Sequence, residues 1–222
     1  MTAQTEPSAK ARAPLSRERI LRAALALADT GGIESLTMRR LGQELRVEAM
    51  SLYNHVANKD DILDGIVDLV FSEIAVPSDR ADWKTAMRQR AISTREVLLR
   101  HSWATSLMQS RTKPGPATLR HHDSVLGSLR KAGFAVDMAA HAFSVMDGYI
   151  YGFALQQMNL PSHTSEEAAE LAENILRELP ADKYPHLAEM ITEHAMKPGY
   201  DYADKFEFGL DLILDSLRRL RK

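Results

Sequence analysis

The sequence predicts an all-α fold. Ala and Leu, two strong helix formers, supply 29 and 27 of the 222 residues, against only 11 Gly and 9 Pro. Apolar residues recur at three- and four-residue steps along most of the chain, and no segment shows a convincing strand pattern. The length allows a small domain joined to a larger one, with enough residues to bury an ordinary hydrophobic core.

Composition and targeting features exclude several classes of protein. The chain has no cysteine, which rules out disulfides, thiolate metal sites and cysteine nucleophiles. We find no apolar run of membrane-spanning length and no signal-peptide pattern, so we expect a cytoplasmic protein with no membrane partner. Residues 1–14 are polar and are predicted to form a disordered arm; alternatively, Lys10 and Arg12 make it a basic arm that enters a DNA minor groove.

The N-terminal segment, residues 15–58, is predicted to form three helices. Their expected bounds are 15–30, 37–45 and 49–55. Gly31 and Gly32 end the first helix, Thr37 caps the second, and only residues 46–48 separate the second from the third. Two short helices joined by such a tight link form a helix-turn-helix.

The rest of the chain is predicted to be a connecting helix followed by a larger helical domain. Asn58 caps the connecting helix, residues 59–76, and a polar break follows at 77–82. The larger domain, residues 77–222, is expected to contain helices at 83–100, 102–109, 116–132, 137–159, 165–179, 184–196 and 202–221.

The formal net charge of −2 hides an asymmetry along the chain. Residues 1–59 carry nine basic and six acidic side chains, whereas the remainder carries 19 basic and 24 acidic ones. A basic N-terminal piece on an acidic body suggests contact with a polyanion at one end.

Two helices of the larger domain have more apolar surface than one neighbour can cover. Helix 137–159 is apolar around much of its circumference and has Gly148 and Gly152 four residues apart, where another backbone could approach closely. The final helix repeats apolar residues at steps of four and three, namely Phe206, Leu210, Ile213 and Leu217, with Phe208 and Leu212 on an adjoining stripe. We expect these glycines and the main stripe to form a homodimer interface, although burial within one subunit is the alternative.

Residues 16–74 resemble the tetracycline-repressor (TetR) family of transcriptional regulators. The resemblance is carried by Ser16–Ala28, by Gly32–Leu41 with its threonine cap and arginine, by Ser51–Val56 with its leucine-tyrosine-x-histidine-valine core, and by Asn58-Lys59. It implies a homodimeric repressor that binds a palindromic site in double-stranded DNA, with a recognition helix in the major groove.

The resemblance also implies DNA-contacting residues. Arg39 is expected to read a guanine, and Thr37, Ser51, Tyr53 and Lys59 to contact phosphates. Asn54 could pair with adenine, Met50 could touch a thymine methyl group, and Arg40 is placed with them. His55 either contacts DNA or packs against the neighbouring helix.

Arg46 departs from the family pattern, which often has glycine at this turn position. A left-handed conformation there would cost an ordinary residue roughly 1 kcal/mol. Either the turn has a different shape or the arginine is kept for a phosphate contact.

A weaker resemblance extends to the regulatory half of the tetracycline repressor subgroup, with Gly133-Phe134 opening the long helix and Gly152 within it. In such proteins a small molecule bound in the larger domain changes the separation of the two DNA-reading heads. At the positions expected to bind drug and magnesium, this chain has Ala75, Gln109 and Gln156, while Thr112 persists. Because the carboxylate and both imidazoles that would bind a chelated divalent cation are lost, tetracycline-magnesium is not expected as the effector.

Residue type indicates an effector pocket for a small apolar or amphipathic molecule. Apolar walls are predicted from Trp103, Met108, Phe143, Met146 and Tyr151, with Thr112 nearby; core packing is the alternative for each. Asp147 is an acid in an otherwise apolar helix, where an unpaired charge is costly. It is either a polar anchor for the ligand or has a protein partner.

Other functions have weaker support. Neither the adjacent His121 and His122, which diverge on a helix, nor a group formed by His186, Glu189, Glu193 and His194 is expected to bind metal, since a solvated surface is the preferred interpretation. No phosphate-binding loop, nucleophile elbow or dinucleotide motif is present, so we expect neither an enzyme nor a cofactor. A regulator with a vestigial pocket or ligand-assisted binding is the alternative, and a helical enzyme or metal-binding bundle is a remote one.

Overall fold

The computed structural model describes residues 14–78, 81–161, 164–197 and 199–221, and all regular elements within them are helical. The predicted all-α fold is therefore confirmed. The predicted N-terminal arm, except Pro14, lies outside the described residues. The chain divides into two compact units, residues 1–67 and 68–222, and the boundary falls inside the connecting helix.

The first unit contains the predicted helix-turn-helix. Its helices are α1 (Arg17–Gly31), α2 (Met38–Leu45), α3 (Ala49–Leu52) and the first half of α4 (Lys59–Glu73), with a 3-10 turn at Ile33–Ser35. The predicted caps are confirmed: the Thr37 hydroxyl accepts from Arg40 N at 3.1 Å, and Asn58 Oδ1 accepts from Asp61 N at 2.9 Å. The third helix is shorter than predicted, because it ends in turns after Leu52 rather than continuing to residue 55.

The link between α2 and α3 is tight and strained at one residue. Arg46 has φ 56° and ψ 48°, the left-handed conformation that glycine adopts at no steric cost. Its N–H donates to Gln43 O at 3.1 Å, and Val47 N donates to Gly42 O at 2.9 Å. A Cβ at Gly42 would lie 3.0 Å from Val47 O, so the backbone of the link packs closely against this glycine.

The second unit contains the remaining helices. They are α5 (Trp83–Arg100), α6 (Ala104–Ser110), α7 (Pro116–Lys131), α8 (Val136–Met158), α9 (Ser165–Glu178), α10 (Pro185–Met190) and α11 (Asp204–Arg218). Most bounds agree with the prediction within two residues. The helix expected at 184–196 is divided, since α10 continues as a π-helical segment over Ile191–Ala195. No helix in the described ranges is long and apolar enough to cross a membrane.

Helices α5, α7, α8 and α11 supply most of the second unit's core. Met87 on α5, Leu129 on α7, Met146 and Ile150 on α8, and Leu210 on α11 have no accessible surface. Because α8 is apolar on several sides, it contributes to this core and still presents apolar residues to solvent. Arg90 is buried in the same unit although its side chain is charged.

Candidate DNA interface and effector site

The recognition helix presents large side chains to solvent. Leu52 and Val56 are buried and hold α3 against its own unit, whereas Met50 is 74% exposed and Tyr53 is 45% exposed. Asn54 and His55, in the turn after α3, are also exposed. The packed alternative for His55 is therefore not supported, and an apolar Met at the start of such a helix is available for contact with a partner.

Basic side chains lie on the neighbouring elements. Arg39 and Arg40 on α2 and Lys59 at the start of α4 are exposed, and among the described residues none of the three forms an ion pair. By contrast, Arg17 pairs with Asp61 at 2.7 Å and Arg22 pairs with Glu18 at 2.6 Å. Unpaired cations beside an exposed recognition helix are suited to phosphates and base edges.

Thr37 and Ser51, which are expected to contact phosphates, both have side chains that solvent can reach. Thr37 is exposed and its hydroxyl accepts one hydrogen bond from α2, which leaves the hydroxyl proton free to be donated. Ser51 is half-buried on α3. Both contacts remain predictions, as do those of the other residues in this head.

The second candidate site surrounds the buried guanidinium of Arg90 on α5. Arg90 is 1% exposed, and its Nη2 lies 2.5 Å from Asp147 Oδ1 on α8. Its Nε and Nη2 lie 3.3 and 3.2 Å from His121 Nε2 on α7. Asp147 thus has a partner within the chain, which resolves one of the alternatives left open by the sequence.

The protonation of His121 follows from these contacts. Burial and the nearby Arg90 charge lower its pKa to about 3, so the ring is neutral at physiological pH. Since its Nε2 faces an arginine that can only donate, the ring proton lies on Nδ1. Both Nδ1 of His121 and Nη1 of Arg90 are buried and have no hydrogen-bond partner among the described residues.

Aromatic rings enclose this pair. The Arg90 guanidinium carbon lies 5.5 Å from the centroid of the Phe143 ring, and the His122 ring lies 5.4 Å from Phe143. Phe71, on α4, lies 5.5 Å from the rings of both histidines. Burial, with the Asp147 charge adding to it, raises the pKa of Tyr151. The site is thus a polar centre lined with rings.

Only part of the predicted effector pocket is assembled here. Phe143, Asp147 and Tyr151 are half-buried and belong to the surroundings of Arg90. Met146 has no accessible surface and belongs to the hydrophobic core, and Trp103 is buried, so core packing, the alternative given for each, is the role that their burial favours. Met108 is half-buried, and Thr112 is exposed in the segment between α6 and α7.

Sequence reasoning missed Arg90 and placed His121 on a solvated surface. Arg90 stands between Met87 and Thr94 on the buried stripe of α5, at the helical spacing where an apolar residue is expected. A charge on such a stripe is the signal that could have identified it, since Asp147 interrupts the apolar surface of α8 in the same way. His121 was missed because adjacent histidines carry no helical periodicity.

A separate cavity of about 600 Å³ lies at the far end of α8. It is lined by residues of α8, α9 and the π-helical segment, including Met158, Leu171 and Ile191, and by Tyr200 and Tyr202. None of the seven residues predicted to bind an effector lines it.

The predicted dimer stripe requires a correction. Phe206, Leu210 and Leu217 are buried and Ile213 is half-buried, because α11 packs this face on its own subunit. The adjoining stripe is exposed instead, with Phe208 70% and Leu212 57% exposed.

On α8 the two glycines predicted at the interface are exposed. A Cβ built at Gly148 or Gly152 meets no atom within 4 Å. Val145 and Leu155 flank them and are also exposed. We call these four exposed residues of α8, together with the exposed Phe208 and Leu212 of α11, the apolar face.

A metal site is not suggested by the geometry. Across the described ranges, no group of three or more His, Asp or Glu side chains is placed to hold a metal ion. His186 lies 3.9 Å from Glu189 on a solvated surface.

An exposed helix-turn-helix with unpaired cations, joined by α4 to a larger helical unit with a buried polar centre, defines a DNA-binding regulator. Two family models match the chain: the tetR family of bacterial regulatory proteins over residues 20–66, and the tetracyclin repressor-like C-terminal domain over residues 76–221. The chain belongs to the TetR family of transcriptional regulators.

Individual relatives agree with this assignment. The HTH-type transcriptional repressor DrrR1 of Streptomyces coeruleorubidus is 32% identical, over 96% of this chain and 81% of that repressor. The class C tetracycline repressor protein of Escherichia coli is 28% identical, over 93% and 92%. The structure of ActR of Streptomyces coelicolor in complex with actinorhodin superposes with a TM-score of 0.77 at 30% identity, over 92% of this chain and 97% of that one.

Proposed function

We propose that this chain is a homodimeric repressor that binds a palindromic operator and is released by a small organic effector. The observation that carries the proposal is the exposed head, in which Met50, Tyr53 and Asn54 project from the recognition segment beside the unpaired Arg39 and Lys59. A helical enzyme or a structural scaffold would not need an exposed recognition segment beside unpaired basic side chains. Such a protein acts where the chromosome is, in the cytoplasm, and we propose no catalytic role.

The DNA contacts follow from side-chain chemistry. The guanidinium of Arg39 can donate to O6 and N7 of one guanine, and the amide of Asn54 can pair with N6 and N7 of one adenine. Met50 offers an apolar surface for a thymine methyl group. Thr37, Arg40, Ser51, Tyr53, His55 and Lys59 position the head on the phosphates.

A homodimer would account for the exposed apolar face and would allow the chain to read a palindromic operator. Two heads must meet successive major grooves, about 34 Å apart, to read a palindromic site. The apolar face combines exposed Phe208 and Leu212 with the open glycines of α8, where a partner helix can approach closely. A soluble chain rarely leaves large apolar side chains so grouped unless they are covered by a partner.

An effector releases the repressor from DNA if it binds more tightly to the conformation in which the two DNA-binding heads do not match the operator spacing. The ligand then shifts the population toward a spacing that no longer matches the operator. Ala75, Gln109 and Gln156 supply neither a carboxylate nor an imidazole for a chelated magnesium ion, so the effector is not tetracycline-magnesium. Among the predicted contacts, Phe143, Asp147 and Tyr151 support this proposal because all three lie near Arg90.

The test is selection of bound duplexes from a random pool, followed by fluorescence anisotropy on the selected sequence and on its scrambled form. We expect two inverted half-sites about one helical turn apart, and an affinity that falls steeply as salt is raised. Equal binding of the selected and scrambled duplexes at every salt concentration would refute the proposal.

A further inference from the structure

Two hydrogen-bond donors at the centre of the second unit have no acceptor. Arg90 Nη1 and His121 Nδ1 are buried, and no described residue pairs with either atom. The other nitrogens of the same groups are occupied, because Arg90 Nη2 contacts Asp147 and both Nε and Nη2 contact His121 Nε2. Buried donors in native proteins nearly always have a partner, so the missing acceptors are expected to come from outside the chain.

The surroundings of these donors indicate the shape of the missing partner. The rings of Phe71, His122 and Phe143 lie within 5.5 Å of one another or of the Arg90–His121 pair. Tyr151, on α8, is close enough to Asp147 for that charge to raise its pKa. Such a group of rings favours an aromatic partner, which can pack against ring edges or faces. The pair itself is enclosed, since Arg90 and His121 are each 1% exposed, and its partly exposed neighbours are Asp147, Phe143 and Tyr151 on α8.

The charge balance indicates the chemistry of the partner's polar groups. Asp147 neutralises Arg90 at 2.5 Å, and burial together with Arg90 keeps His121 uncharged. The site therefore has no excess positive charge for a carboxylate. In addition, the bidentate contact that strengthens an arginine–carboxylate pair needs two adjacent guanidinium nitrogens, and Nη2 and Nε are already engaged.

We propose that Arg90 and His121 are the polar anchor for an uncharged aromatic effector whose ring carbonyl or phenol oxygens accept hydrogen bonds from Arg90 Nη1 and His121 Nδ1. The role of this ligand as the effector rests on the proposed function. Its chemical class rests on the geometry of the anchor alone.

Three probes of similar ring size separate the alternatives. They are 1,4-naphthoquinone, which carries two ring carbonyls, naphthalene, which carries none, and 1-naphthoate, which carries a carboxylate. The absence of cysteine removes the usual thiol reaction of quinones. Binding is measured by isothermal titration calorimetry on the full chain without DNA.

We expect naphthoquinone to bind about tenfold or more tightly than either other probe, because only it supplies uncharged acceptors to buried donors. The proposal would be overturned by equal binding of naphthoquinone and naphthalene, by a preference for naphthoate, or by no saturable binding of any probe. If ordered water satisfies both donors and the site binds no ligand, naphthoquinone and naphthalene should bind equally or no probe should show saturable binding.

A matched pair of variants assigns the effect to Arg90. Arg90→Lys keeps a positive charge beside Asp147 but has no second terminal nitrogen, so it should weaken naphthoquinone binding about tenfold and leave naphthalene unchanged. Arg95→Lys makes the same change five residues further along α5, where Arg95 contacts Gln157 outside the anchor, and should bind like the wild type. Equal losses in both variants would contradict the assignment.

A measurement on the unmodified chain does not depend on the variants folding. The ¹⁵N signal of His121 Nδ1 should move when naphthoquinone is added and stay in place with naphthalene; an unmoved signal at saturation contradicts the anchor. Release from DNA is measured separately. Selective binding without release would contradict the effector role, whereas normal operator binding without probe selectivity would contradict only this inference.

Discussion

The Asp68 carboxylate on α4 accepts hydrogen bonds from both the backbone N–H (2.8 Å) and the hydroxyl (2.9 Å) of Thr118, in the first turn of α7. It also accepts from Ala117 N at 3.2 Å, while the N-cap residue of α7, Gly115, offers no side chain. An acid from another helix therefore caps α7. Because α4 also continues into the DNA-reading unit, this contact ties the connecting helix to the helix that carries His121.

Asp68→Ala should lower the free energy of unfolding by about 1 to 3 kcal/mol, because three donors at the start of α7 lose their acceptor. Asp68→Asn, which keeps one acceptor oxygen, should lose less. Chemical denaturation measures both. A variant Asp68→Ala with wild-type stability would show that water replaces the carboxylate without cost.

Arg46→Gly should raise the stability of the chain by about 1 kcal/mol, since glycine adopts the left-handed conformation without a steric penalty. If Arg46 contacts a DNA phosphate, the same variant should bind DNA more weakly, and the slope of log affinity against log salt concentration should fall by about one unit. A gain in stability with unchanged DNA binding would remove the phosphate role. A loss of stability would contradict the strain itself.

His121 makes stability depend on pH. Its pKa is lowered in the folded state from 6.5 to about 3, so the unfolded state binds more protons between these values. Stability is therefore complete above pH 6.5 and falls as the pH falls toward 3, by at most about 1.4 kcal/mol per pH unit. His121→Gln, which retains an acceptor for Arg90, should flatten this slope in urea titrations at pH 7, 6, 5 and 4. An unchanged slope would show that His121 is charged or solvated in the folded chain.

The apolar face should hold the dimer together. Phe208→Asp combined with Leu212→Asp should yield monomers in analytical ultracentrifugation and weaken operator binding, because charges would be buried between subunits. Leu119→Asp places the same charge on an exposed apolar residue of α7 and should leave the dimer intact. Dimers that survive the double substitution would place the interface elsewhere.

The sequence predicted those features whose cause is local. Thr37 and Asn58 cap their helices through residues only three positions away, and the spacing of the buried Leu52 and Val56 is set within one short segment. The left-handed turn could not be decided from sequence, since two turn shapes suit the same residues.

Features that depend on tertiary packing were only partly predicted. The final helix has two apolar stripes, and which of them faces the subunit core depends on neighbours such as Tyr149, whose ring occupies the space beside Gly209. The contact of Arg90 with Asp147 joins residues 57 positions apart, so neither the pairing nor the burial of Arg90 follows from local spacing.

The central claim is that the exposed head reads DNA sequence through Arg39. Its most direct test is to measure the affinity of the wild type, Arg39→Ala and Arg22→Ala for the selected operator and for every single-base variant of one half-site. Arg22 is an exposed arginine on α1 that pairs with Glu18, and it serves as the control. The account predicts that Arg39→Ala loses about 1 to 3 kcal/mol of discrimination at a single guanine position and keeps its preferences elsewhere, while Arg22→Ala keeps them all. A uniform loss across all sequences, or no loss at any position, would contradict a base-reading role for Arg39.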